Sequence, residues 1–186
     1  MPEQGLARSL VEAYLHFDLM ARDGEPGASR RAAVEREEDG WLVRLDGVEV
    51  LVPYEAEAGA KEEGVTFGTG LSELIDPGQW VLIAATYASK ALESGLFFAA
   101  DPSDPAVFDS VAADWRFAAE AVAEALKFFP GGADELPPDV FWTEMGRAVR
   151  ESEPDRLTRR KLESDLAFYR QSLDDFRRLH AEHDTS

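Results

Sequence analysis

The chain has no cysteine among its 186 residues. That absence removes a disulfide framework, a thiolate nucleophile, an iron–sulfur cluster and a cysteine-ligated zinc site together. Long apolar runs are also missing, because Lys90 interrupts the longest uncharged stretch before it reaches membrane-spanning length. The opening Met1-Pro2-Glu3-Gln4 lacks the basic region and apolar block of a secretory signal, so a cytoplasmic setting is expected. No Gly-Lys-Ser/Thr phosphate loop and no Gly-x-Ser-x-Gly nucleophile elbow occurs. Gly64, Gly68 and Gly70 hint at a dinucleotide loop, but Glu73 stands where its third glycine belongs.

Positive charge is scarce as well. There are 19 Lys and Arg against 37 Asp and Glu, a formal net charge of −18. Such a chain repels phosphate backbones and anionic lipid, which argues against nucleic-acid and membrane partners. The imbalance is local. Residues 51–146 carry only Lys61, Lys90, Arg116 and Lys127 against 17 acids, a net of −13, whereas residues 147–186 balance 9 against 9.

What remains is 45% apolar residues in a length sufficient for a real core. Leu6, Leu10, Ala13, Phe17 and Met20 recur at helical spacing and predict a helix over residues 4–21, ended by Gly24, Pro26 and Gly27. Two Asp-Gly pairs, Asp39-Gly40 and Asp46-Gly47, then separate short runs rich in Val, Leu and Trp. Asp-Gly suits tight hairpin turns, so a three-stranded antiparallel meander is expected near 31–37, 41–45 and 48–54. An acidic, Gly-rich connector follows.

The helices after it begin on prolines. Asp76-Pro77 opens a nearly uncharged helix over about 77–94, which must be covered on most sides. Ser103 or Asp104 with Pro105 opens another, whose seam is Phe108, Val111, Trp115, Ala118, Val122, Ala125 and Phe129. Pro138 begins a shorter helix and Pro154 a final one running to about His183, with a heptad seam of Leu162, Leu166, Tyr169, Leu173, Phe176 and His180. The expected fold is therefore α+β and predominantly α: an N-terminal helix, the meander, then a four-helix C-terminal bundle. Its expected parts are a helix-plus-meander subdomain at 1–60, a connector at 61–76 and the bundle at 77–186, in one compact unit.

Chemistry-bearing constellations are few. His180 and His183 could hold a metal by spacing, but read more simply as a polar tail. His16 reads as a surface or half-buried helix residue. Glu120 and Glu124 lie one turn apart, yet neither is followed three residues later by the histidine of a carboxylate-bridged dimetal bundle. They read as a solvated acidic face. Phe141 and Trp142 are adjacent and cannot easily share one core, so one of them suits an exposed anchor.

From "FGTGLSELIDPGQW" through "ALKFFPGGADELPPDVFWTEMGRAVRESEPDRL" to "FYRQSLDDF", about 110 residues, the chain resembles an uncharacterised group of bacterial proteins. The shared marks are an Asp-Pro-Gly-(Gln/Glu)-Trp helix, a Phe-x-Pro-x-Gly-Ala-Asp-x-(Val/Leu)-Pro-Pro loop and a Trp-x-Glu-x-Gly-Arg-Ala-Val segment. The resemblance implies no activity. It does imply an N-terminal cysteine-pair zinc ribbon after an Asp-Leu dipeptide. Here Asp18-Leu19 is kept, "MARDGEPG" follows, and "LDGVEVLV" stands where the second pair would be, so the expectation is a metal-free meander.

Two functional expectations follow. The first is a non-catalytic, cofactor-free acidic binding protein, immunity- or antitoxin-like, which captures a basic macromolecule through Glu120, Glu124, Asp134, Glu135 and Asp139 with Trp142 as anchor. The alternative is a small-ligand binder or enzyme with a pocket between meander and bundle, in which Arg116, Glu144 and Arg147 supply the polar groups. Pairing of the final helix with a second copy is a further, structural expectation.

Overall fold

A computed structural model describes residues 4–21 and 27–181. The fold is α+β and mainly helical, and backbone contacts divide it into two compact units, Met1–Ile75 and Asp76–Ser186. The stretch expected as a connector, all but its last residue Asp76, belongs to the first unit.

The first unit begins with a two-residue strand, β1 (Gly5–Leu6), and helix α1 (Leu10–Met20). The predicted helix therefore starts later than its apolar spacing suggests. Ser9 caps α1 by accepting a hydrogen bond from the Glu12 amide at 3.1 Å. The buried face is Glu12, Ala13, Leu15 and Phe17, while Leu6 and Met20 are exposed. After a 3-10 turn at Ala28–Arg31 come β2 (Ala33–Arg36), β3 (Gly40–Leu45), β4 (Val48–Pro53) and α2 (Tyr54–Glu63).

The sheet order is β1-β4-β3-β2. The expected antiparallel meander is its larger part, and β1 adds a parallel fourth strand on β4, pairing Gly5 with Val50. A two-residue strand carries no periodicity to read, which hid it in the sequence. Asp46 and Gly47 turn the β3–β4 hairpin with φ of 50° and 84°, the left-handed pair that Asp-Gly suits. The other Asp-Gly works differently. Glu37 and Gly40 face each other through an amide-to-carbonyl bond of 2.9 Å, so Glu38-Asp39 makes the turn. Gly40 lies within β3, where a Cβ would run into the Val52 carbonyl. Val43 and Val50, paired across the ladder, are fully buried.

The helix α2 runs from the end of the expected third strand into the start of the expected connector, where no helix was expected. Its carboxylates, Glu55 and Glu57 in the first turn and Glu62 and Glu63 in the last, hide a short helix whose buried residue is Ala60.

The second unit holds α3 (Pro77–Ala100), α4 (Pro105–Leu126), α5 (Glu144–Ser152) and α6 (Arg159–Ala181), with 3-10 turns at Pro138–Val140 and Pro154–Leu157. Pro138, expected to open a shorter helix, and Pro154, expected to open the final one, open these single turns instead; the helices proper start six and five residues later. The α4 seam is as the spacing predicts: Val111, Trp115, Ala118, Val122, Ala125 and Phe129 are all buried. The α6 seam packs within its own unit. Tyr169 lies 6.1 Å from Trp115 between ring centroids, Phe176 stacks on Phe108 at 5.0 Å, and His180 meets Phe98 at 4.7 Å.

Helix α3 is buried over only half its length. Trp80, Val81, Ile83, Ala84, Ala88 and Ala91 are inside, but Leu92, Leu96 and Phe97 face solvent. Alternation of Ser89, Lys90 and Glu93 among the apolar residues gives the C-terminal half a wet side that its composition conceals.

Candidate functional site

Two of the motifs that carry the resemblance, the Asp-Pro-Gly helix start and the Trp-x-Glu-x-Gly segment, meet at Asp76. Asp76 is completely buried. One carboxylate oxygen accepts the Gln79 amide at 3.0 Å, and the Gln79 side chain returns the favour by accepting the Asp76 amide at 3.1 Å, a complete capping box for α3. The other oxygen accepts the Thr143 amide at 2.9 Å and the Thr143 hydroxyl at 2.6 Å. That hydroxyl in turn accepts the Gly146 amide at 2.9 Å, capping α5. A single carboxylate thus organises the N-termini of two helices, and both macrodipoles favour its negative charge.

The glycines of the motifs permit this approach. A Cβ on Gly78 would stand 2.6 Å from the Gly146 Cα, and one on Gly146 would overlap both Asp76 carboxylate oxygens. The Asp-Pro-Gly and Thr-x-x-Gly segments are therefore two halves of one helix-to-helix clasp. Sequence reading found the Asp76 cap but not its second client, 67 residues away.

The clasp delivers the chain leaving α4 into the loop before α5. Arg159 fastens that loop: its side chain donates to the carbonyls of Ala133 at 2.7 Å and Pro130 at 3.2 Å, and its amide donates to Asp134 at 2.9 Å. Arg147 donates to the Phe141 carbonyl at 3.0 Å. Phe141 is buried and Trp142 is 38% exposed, resting on Phe128 with ring centroids 5.9 Å apart. Asp134, Glu135 and Asp139 are exposed on the same loop.

The other two carboxylates assigned to this surface behave differently. Glu124 is 5% exposed and bonded to Lys127 at 2.6 Å. Glu120 is partly buried with one oxygen closed off from solvent. Both are turned toward the helix packing, so the solvated acidic face expected there is not formed by this pair. Burial on α4 is decided by the seam at 118, 122 and 125, which flanks both.

Arg116, Glu144 and Arg147, the polar groups of the alternative pocket, are exposed. None of them lines the clefts described next. In the second unit, a cleft of about 390 Å³ lies between Leu136, Phe141 and Leu157, rimmed by Glu135, Arg150, Glu151 and Asp155. In the first unit, a more open cleft of about 640 Å³ runs between β1, α1 and β4, with Leu6, His16, Met20, Val48, Glu73 and Leu74 among its walls. The His16 Nδ1 is buried there without a hydrogen-bond partner among the described residues, and burial lowers the imidazole pKa against a smaller upward pull from Glu12.

The same unit holds an ion pair the sequence did not announce. Glu12, fully buried, accepts the Arg8 amide at 2.7 Å and the Arg8 guanidinium at 2.6 Å. The guanidinium also donates to the Gly70 carbonyl at 2.6 Å, and Ser9 donates to the Phe67 carbonyl at 2.9 Å. Gly68, at φ 131°, lies against Arg8 where no Cβ fits. Two of the glycines that hinted at a nucleotide loop, Gly68 and Gly70, are the seat of this clasp, while Gly64 ends α2.

Among the described residues no group of three or more His, Asp or Glu is placed to hold a metal ion. His180 is one of the aromatic contacts at the end of α6, and His183 lies outside the described residues. No described helix is long and apolar enough to cross a membrane. No protein-family model, curated protein or solved structure matches the chain.

Proposed function

We propose that the protein is an acidic binding module that captures a basic macromolecular partner, in the manner of immunity or antitoxin-like proteins. The observation that carries the reading is the loop before α5: Trp142 stands exposed beside Asp134, Glu135 and Asp139 on a segment pinned by Arg159 and the Asp76 clasp. A rigid, amphipathic aromatic on a loop that also carries three exposed carboxylates is the composition of an interface anchor, and pre-organisation lowers the entropic cost of binding. Glu120 and Glu124 drop out of the contact because helix packing holds them.

Affinity capture on the immobilised protein at low and high salt tests this. The expected partner is basic, elutes with salt, and is retained poorly by Trp142→Ala. A neutral or acidic partner, or retention that salt does not weaken, contradicts the reading.

The cleft beside β1 favours a second reading, a small-ligand site. Its volume suits a small molecule, and His16 offers a neutral imidazole beside apolar walls. Soaking with a panel of small metabolites and following the His16 ring resonances distinguishes the two readings.

A further inference from the structure

The far end of the α3–α4 hairpin presents a second surface, separate from the loop before α5. Leu96 is 75% exposed, Phe97 71% and Leu92 56%. Leu92 and Leu96 are one helical turn apart, so they form a stripe, and Phe97 flanks it. Large apolar side chains this exposed and this close together are uncommon on a protein that works alone.

Along the hairpin itself the charge is one-signed. Glu93 stands one turn before Leu96 and Phe97, and Asp101 stands one turn after Phe97. Asp104 and Asp109 follow across the hairpin, and all four carboxylates are exposed. No Lys or Arg occurs between Lys90 and Arg116. On α6, which packs here through Phe176 and His180, Arg177 and Arg178 are exposed, and Arg178 is paired with Asp175 at 2.6 Å.

The stripe is also firmly backed. Phe98, next to Phe97, is buried against Phe108 at 5.9 Å and Phe176 at 5.8 Å between ring centroids. The exposed side chains are thus displayed by a packed three-helix end. From Asp109 to Leu126, the last residue of α4 and two before the Phe128 under Trp142, the rise along the helix is about 26 Å, so one small contact does not cover both surfaces.

We infer that Leu92, Leu96 and Phe97 with their carboxylate rim dock a basic amphipathic helix of a partner protein. The apolar stripe receives the helix's i, i+4 anchors, and Glu93, Asp101 and Asp109 meet its Lys or Arg flanks. Apolar contact supplies the affinity, and charge selects a cationic helix over an acidic one.

A synthetic leucine–lysine amphipathic helix of roughly 18 residues serves as the probe, long enough for about five turns. Binding is read by fluorescence anisotropy and by backbone amide shifts over residues 92–109. The expected result is saturable binding that weakens about tenfold in the Leu96→Ser/Phe97→Ser double variant. Glu93→Gln/Asp109→Asn flattens its salt dependence, and the same peptide with glutamates for lysines does not bind. Because the substituted side chains are exposed, thermal unfolding of these variants stays at the wild-type temperature. The Asp134→Asn/Glu135→Gln/Asp139→Asn variant retains peptide binding, which separates this surface from the loop. Equal affinity in the double variant, or loss only in the loop variant, overturns the inference. So does sedimentation showing a wild-type dimer that Leu96→Ser/Phe97→Ser returns to monomers, since the stripe is then covered by a second copy.

Discussion

Asp76 is the residue on which most of the second unit depends, because its two oxygens serve two helices at once. Its neighbours leave no slack. Gly146→Ala places a methyl group into the Asp76 carboxylate and should cost about 2–4 kcal/mol, the range of overpacking combined with a broken buried hydrogen bond. Chemical denaturation measures it, and a loss below about 0.5 kcal/mol would mean that the clasp yields freely. Asp114 makes the opposite case. It is buried on α4, its Oδ2 has no partner among the described residues, and Lys90 reaches its Oδ1 only at 3.5 Å. Burial raises its pKa against the weaker downward pull of Lys90. The folded state therefore holds the proton more tightly than the unfolded chain, and stability from this group falls as pH rises through the folded value. Asp114→Asn should stabilise the protein by about 1 kcal/mol at neutral pH, with the gain vanishing as pH falls into the ordinary carboxylate range. A variant gain that does not change with pH contradicts this. His16 has the reverse sign. Its lowered pKa means that the unfolded chain takes up the proton first, so stability is lost as pH falls below the ordinary value of 6.5. His16→Phe should remove that acid-side loss in pH-dependent thermal unfolding, and an unchanged slope would sink the assignment.

At the scale of elements, periodicity and caps were legible wherever one physical cause acted alone. The α4 seam and the α6 seam follow from spacing, and Pro77 and Pro105 mark helix starts because their missing amides cost nothing there. The β3–β4 hairpin followed from Asp46-Gly47. Elements fixed by distant partners were not legible. The two residues of β1 are a strand only because β4 lies beside them, and Gly40 is a close-approach glycine rather than a turn glycine because Pro53 and Val52 lie opposite. Pro138 and Pro154 carry the same local signal as Pro77, yet each opens a single 3-10 turn, and α5 starts instead at the Thr143 cap set by Asp76. The candidate site divides the same way. That one of Phe141 and Trp142 stays exposed was readable from their adjacency, but not which of them. The inward turn of Glu120 and Glu124 was not, because two glutamates one turn apart look alike whether water or Lys127 meets them.

For the whole molecule the dominant fact is charge: −18 overall, with −13 in residues 51–146. The three clasps described, Arg8–Glu12, Asp76–Thr143 and Arg159 with the 130–134 loop, consume few of those carboxylates, so most of the excess lies on the outside. In the proposed binding role, an excess of one sign would accelerate encounter with a cationic partner, and Trp142 would slow its departure. The most direct test is the association rate of the captured partner as a function of ionic strength, for the wild type and for Asp134→Asn/Glu135→Gln/Asp139→Asn. The account predicts a wild-type rate that falls steeply with salt and a variant rate about tenfold slower at low salt, with dissociation little changed. Equal rates for the two proteins across all salt concentrations would contradict it.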